Sequence, residues 1–185
     1  MTNRAELLQQ LAIYQTPHTE ELEFVEAFRH LLSHEDAFQR THLPGHITGS
    51  AWIIDPDGKQ VLLTKHAKLK KWLQPGGHAD GDENVLRVAL REAEEETGLH
   101  HFTQYLEHIF DIDIHPIPAR KDFPEHLHYD VRFLLTADPS TPLIITEESS
   151  DLAWIPLDQI AEISGGNWSM MRMAEKTKAL FGAHK

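Results

Sequence analysis

Apolar positions first recur at helical spacing near the start of the chain. Leu7, Leu8, Leu11 and Ala12 follow Asn3 and Glu6, a pair resembling a capping box, so a first helix of about a dozen residues is expected. Leu22, Val25, Phe28, Leu31 and Leu32 repeat the pattern behind Pro17 and Thr19 and predict a second helix. The loop around Leu43, Pro44 and Gly45 then leads into a shorter period. Residues 51–54, the turn DPDG at 55–58 and residues 61–64 read as a β-hairpin. A helical pattern returns at 83–96, where Leu86, Ala89, Leu90, Ala93 and Thr97 share one face. Asp82 is its expected N-cap, and Gly98 supplies the left-handed residue past its end. Strand-like runs follow at 105–114, 127–135 and 152–155, and a last helix at 168–181 stops at Gly182. The order predicts an α/β protein in which helices cover both faces of a mixed β-sheet. Residues 1–40 read as an N-terminal helical extension and 41–185 as the main domain with its C-terminal helix.

Composition narrows the field. A chain of 185 residues that is 41% hydrophobic can bury a real core. A formal net charge of -12 argues against nonspecific binding to nucleic acid or anionic membrane, which needs a basic surface. With no cysteine there is no disulfide, no thiolate zinc site and no thiol nucleophile. No window has the length of a membrane span, and the opening residues lack a cleavable leader pattern, so a cytoplasmic protein is expected, with a homodimer among its states.

The helix at 83–96 ends against a local rule. Glu92, Glu94, Glu95 and Glu96 crowd its C-terminal end, where the partial negative charge of unpaired carbonyls makes each anion unfavourable by about 0.3–1 kcal/mol. Glu92, Glu95 and Glu96 converge on one face while Glu94 points away, and Arg91 stands beside Glu92 and four residues before Glu95. Three hard oxygen donors on one face suit Mg²⁺ or Mn²⁺. Most Glu-rich helix ends are solvated surface; the whole pattern decides otherwise here. Gly77, five residues, Glu83, seven residues and then REAEEETGL at 91–99 resembles the signature of the Nudix hydrolases, with every fixed position filled. Ala93 is smaller than the usual large aliphatic, and Trp72, Leu73, Pro75 and Gly76 upstream extend the likeness.

The resemblance implies a Nudix-type α/β/α sandwich over about 43–160. It also implies a Mg²⁺-dependent (or Mn²⁺-dependent) pyrophosphohydrolase, in which a metal-activated water splits a diphosphate in a nucleoside-diphosphate-type small molecule. Carried over by position, Glu92, Glu95 and Glu96 bind the metal with the carbonyl of Gly76, Arg91 orients Glu92, and Gly77, Glu83 and Gly98 support the geometry. The general base is Glu92 or an acid on a later loop, Glu147 or Glu148. The alternative in another class is a nucleotide-sensing binding module on the same fold, against which the intact set of acids counts. Isoprenyl diphosphate isomerase chemistry is set aside because the relevant enzymes use a cysteine.

Weaker signals surround this centre. Lys65, in the basic run LTKHAKLKKW, is a candidate for substrate phosphates. His78 and the alternating His126 and His128 of EHLHYD suggest a second site, for substrate or for a nitrogen-ligated metal. Trp52 and Trp154 read as core. No P-loop, HExxH or GxSxG pattern offers another chemistry.

Overall fold

The structure is a computed structural model that describes residues 3–67, 70–146 and 149–182. Its elements follow in the order α1 (Arg4–Ala12), α2 (Thr19–Leu31), β1 (Gly45–Ile54), β2 (Gln60–His66), β3 (Trp72–Leu73), β4 (Gly76–His78), α3 (Val85–Thr97), β5 (Thr103–Gln104), β6 (Asp111–Ile117), β7 (His126–Thr136), β8 (Ser149–Pro156), a 3₁₀ turn (Leu157–Gln159), α4 (Ile160–Ile163) and α5 (Trp168–Gly182). They make two compact units. The first holds residues up to Ser50 with Gly76–Ala89 and Glu107–Phe133; the second holds Ala51–Pro75, Leu90–Leu106 and the chain from Leu134 onward.

In the first unit, α1 begins as the sequence predicts, with Asn3 Oδ1 accepting the Glu6 N–H at 3.1 Å and Leu7 and Leu11 buried. Helix α2 packs on β6. Its Phe28 is fully buried and meets Tyr129 of β7 edge-on, with ring centroids 5.3 Å apart. Glu21, on the same helix, is also fully buried. Its carboxylate accepts the Tyr14 hydroxyl at 2.7 Å, the Thr16 hydroxyl, and the Ile112 N–H at 3.4 Å, so the desolvated charge is met by donors from three places.

Strand β1 starts well before residue 51 and is buried along its whole length. The polar residues Thr48 and Ser50 obscure this in the sequence. Both hydroxyls donate to the buried Asp130 of β7, at 3.0 and 2.8 Å, and that pairing is what allows them inside. The expected strand at 105–114 is corrected to β6, with 105–110 outside any strand. There the Ile109 N–H is taken by the Gln10 side chain at 2.8 Å rather than by a ladder partner. Strands β6 and β7 pair antiparallel with Asp111 opposite Arg132 and Asp113 opposite Asp130. Arg132 is buried and donates to all three aspartates, at 2.8 Å to Asp130, 3.1 Å to Asp111 and 3.2 Å to Asp113. Burial opposes its charge, but the surrounding carboxylates prevail and raise its pKa above the ordinary arginine value.

In the second unit the expected hairpin is present, with Ile53 opposite Leu62 and Ile54 opposite Val61. Strand β2 also pairs antiparallel with β3 and, from Gln60 opposite Pro156 to His66 opposite Ser149, with β8. Trp52 is core as expected: it is fully buried and its indole N–H donates to Thr177 Oγ1 of α5 at 3.0 Å. Trp154 is half-buried. No helix of the described residues is long and apolar enough to cross a membrane.

Candidate active site

The acidic helix is built from its first turn. Asn84, not the expected Asp82, caps α3, with its Oδ1 accepting the Arg87 N–H at 3.0 Å. Asp82 instead turns the chain into the helix. It accepts the Asn84 N–H at 2.8 Å and pairs with the Arg87 guanidinium, at 2.6 and 2.7 Å. The first turn lies hard against β1. A Cβ at Gly49 would stand 2.8 Å from the Val85 carbonyl oxygen and 2.9 Å from a Val85 methyl, so only glycine lets strand and helix approach this closely. That contact also rotates the buried face from the one expected. Val85, Val88, Ala89, Ala93 and Thr97 are buried, while Leu86 and Leu90 are half-buried. Gly98 ends the helix as expected with φ +72°, its N–H bonded to the Glu94 carbonyl at 2.9 Å.

On the far turns of α3, Arg91 Nη2 meets Glu92 Oε1 at 2.7 Å and Arg91 Nε lies 4.0 Å from Glu95 Oε1, so one guanidinium spans two carboxylates. Their environments differ. The Glu92 side chain is 14% exposed and Glu95 64% exposed, while Glu96, like Glu92, is half-buried. Glu94 is exposed, as the helical spacing requires. Glu92 stands one turn before the adjacent Glu95 and Glu96, and oxygen-only residues of this kind are the type that hard divalent cations favour.

Other signature positions lie in the first unit. Gly76 and Gly77 form β4, opposite Ser50 and Gly49 of β1. Glu83 is held from α1, since Arg4 gives it a backbone bond at 3.3 Å and an Nε bond at 3.0 Å. The same guanidinium caps the carbonyls of Leu32 at 3.2 Å, His34 at 2.7 Å and Glu35 at 2.6 Å.

Comparison with known proteins decides what these features belong to. The model of the NUDIX domain family matches residues 44–174. The chain belongs to the Nudix family. Among curated proteins it is similar to a probable DHNTP pyrophosphohydrolase of Lactococcus lactis, 30% identical over 112 residues that cover 60% of each chain. It is also similar to a CMP-5'-(N-acetyl-N-hydroxy-3-aminopropyl)phosphonate hydrolase of Streptomyces rubellomurinus, 30% identical over 120 residues covering 62% of this chain and 54% of that one. The matches thus span little more than half the length of these relatives. A C. elegans Ap4A hydrolase has the same fold, with a TM-score of 0.58 at 18% identity over 74% of this chain and 98% of that one. The mixed α/β fold expected from the sequence is therefore the Nudix fold.

The remaining candidates of this Nudix domain are distributed unevenly. Lys65 of β2 pairs across the strands with Trp72 and Asp151, and its ammonium sits 5.7 Å from the centre of the Trp72 ring. Glu147 and Glu148 lie outside the described residues. His78 and His128 come together, joined by His46, which the sequence reading did not single out. Ring centroids are 5.2 Å apart for His46 and His78, 5.1 Å for His46 and His128, and 5.0 Å for His78 and His128. His126 stacks on His46 at 5.0 Å. Burial, aided by the neighbouring rings, lowers the pKa of His128 to about 2; burial together with Arg40 lowers that of His78 to about 4. His46 is lowered too, again chiefly by burial. The alternation of His46, Thr48 and Ser50 was the one sequence signal that could have placed His46 on a buried strand face. Nothing in the sequence announced the partnership of Arg4 with Glu83, which joins residues 79 apart.

Proposed function

We propose that this Nudix protein is a Mg²⁺-dependent pyrophosphohydrolase that cleaves a diphosphate linkage in a small molecule of the nucleoside-diphosphate type, in the cytoplasm. The observation that carries the reading is the bracing of Glu92 and Glu95 by Arg91 on the last turns of α3, with Glu96 next in sequence. Glu92, Glu95 and Glu96 would hold the cation, and the resemblance adds the Gly76 carbonyl to them. A bound Mg²⁺ would neutralise the diphosphate and make a bound water more acidic.

The protein's own residues have separable tasks. Arg91 fixes the direction of Glu92 through the 2.7 Å contact and leaves the outer carboxylate of Glu95 largely in solvent, where a ligand can reach it. Glu92 is the named acceptor for the proton of the attacking water, with Glu147 and Glu148 as its rivals. Lys65 is the proposed partner of a substrate phosphate. Gly98, with its positive φ, sets the backbone at one end of the signature, Gly77 pairs with Gly49 of β1 at the other, and Glu83 acts through its hold on Arg4. The named activities of the relatives favour nucleotide-type substrates over other diphosphates.

The test is a Mg²⁺-supplemented screen of pterin and nucleoside triphosphates, nucleotide sugars, dinucleoside polyphosphates and capped RNA, with detection of released phosphate products. Turnover of a member of one class, abolished by chelator, is the expected result. Chelator-resistant turnover, or no turnover in any class, overturns the reading. For the base, Glu92→Gln should depress the rate sharply, while Glu147 and Glu148 changed together should cost about tenfold or less. A nearly inactive loop double variant that still binds Mg²⁺ would transfer the role to the loop.

A further inference from the structure

His46 of β1, His78 of β4 and His128 of β7 each offer one ring nitrogen, and the three nitrogens lie within 4.8 Å of one another. The Nε2 atoms of His46 and His128 are buried and find no hydrogen-bond partner among the described residues. Buried polar atoms in native proteins are almost always satisfied, so two orphans on the rings of one histidine cluster require an explanation.

The tautomer of His46 supplies it. Its Nδ1 lies 3.3 Å from the His42 carbonyl oxygen, which can only accept, so Nδ1 carries the proton and the buried Nε2 is left with a bare lone pair. A phosphate oxygen offers that lone pair nothing, because it is an acceptor itself. A cation does. A second ring nitrogen bonded to a backbone carbonyl is also how metal-bound histidines are commonly fixed in tautomer and orientation.

We propose that His46, His78 and His128 form a site for one borderline transition-metal ion of the Zn²⁺ type, distinct from the carboxylate set on α3. Imidazole nitrogens select such ions over Mg²⁺, and three histidines leave a fourth position for water or another small ligand. With bonds near 2.0–2.1 Å, a tetrahedral ion holds its ligand atoms roughly 3.4 Å apart, so the rings draw together by at most about 1.4 Å, within reach of small side-chain rotations. The ion would tie β1, β4 and β7 of the first unit to one another. His126 flanks the site by stacking on His46, with its own Nδ1 at 2.9 Å from the Pro124 carbonyl oxygen. His115, whose ring centroid is 5.6 Å from that of His128, is engaged by Asp113 at 3.1 Å.

The experiment uses the full chain stripped of metal by chelator and titrated with Zn²⁺ and with Co²⁺ as a spectroscopic probe. One equivalent should bind, Co²⁺ should give the visible absorption of a four-coordinate nitrogen-ligated ion, and Zn²⁺ should raise the melting temperature. Binding should persist in a Glu95→Gln/Glu96→Gln variant and weaken at least about a hundredfold in His78→Gln and in His128→Gln, since even outer partners of such ligands are worth 10–100-fold. Circular dichroism checks that the variants fold; His78 is half-buried, so its variant carries the test if His128→Gln does not fold. Absence of binding to the unaltered chain, binding that survives in folded His78→Gln, or binding lost in the Glu95→Gln/Glu96→Gln variant would each overturn the assignment.

Discussion

Under the proposed function, Glu95 and Glu96 occupy positions where stability and activity pull in opposite directions. Each places an anion at the negative end of α3, and Arg91 lies 4.0 Å from the Glu95 carboxylate. Glu95→Gln and Glu96→Gln should therefore each lower turnover by at least about a hundredfold while raising the melting temperature of the metal-free protein. Kinetics and calorimetry on the same preparations check both halves; near-normal turnover in both variants sinks the carboxylate assignment. These residues were legible because the signature fixes their spacing along a single helix. His46 and Arg4 were not, because each takes its role from partners brought close only by folding. Asp82 shows the same limit at short range. Both Asp82 and Asn84 are good caps by type, and the choice fell to the residue whose oxygen reaches the Arg87 N–H.

Among elements, α3 carries the most weight and is held by its ends. Asn84→Ala should cost about 1 kcal/mol by leaving the Arg87 N–H without its cap, measurable as a lower urea midpoint with an unchanged slope. Gly98→Ala should cost more, on the order of 1–3 kcal/mol, because φ is +72° and the new Cβ would stand 2.6 Å from that of Ile144. A variant as stable as the parent would show that the helix end relaxes freely. The long helices were readable from period alone. Strands β3 and β4 were not, since two or three residues carry no period and exist only through their pairing with β2 and β1. The rotated face of α3 has a related cause. Periodicity ranked Leu86 and Leu90 as core by size, whereas close approach to Gly49 favoured the branched Val85 and Val88.

For the whole molecule, the formal charge of -12 and the acidic helix end make cation binding a stabilising event. Mg²⁺ should raise the melting temperature by mass action, by about 2.7 kcal/mol of stability at a hundredfold excess over Kd, and chelator should reverse it. A melting temperature indifferent to millimolar Mg²⁺ would count against a cation site. The fold class was legible at this scale from element order, but the division into two units was not, because it depends on which segments far apart in sequence pack together.

The Arg4 bonds give the beginning of the chain a consequence of their own. One side chain closes three backbone carbonyls at the end of the α2 region and holds Glu83 of the signature loop. Arg4→Ala would thus do more than remove one charge. It would strip the loop of its anchor, so limited proteolysis should cut near Glu83 sooner in the variant than in the parent.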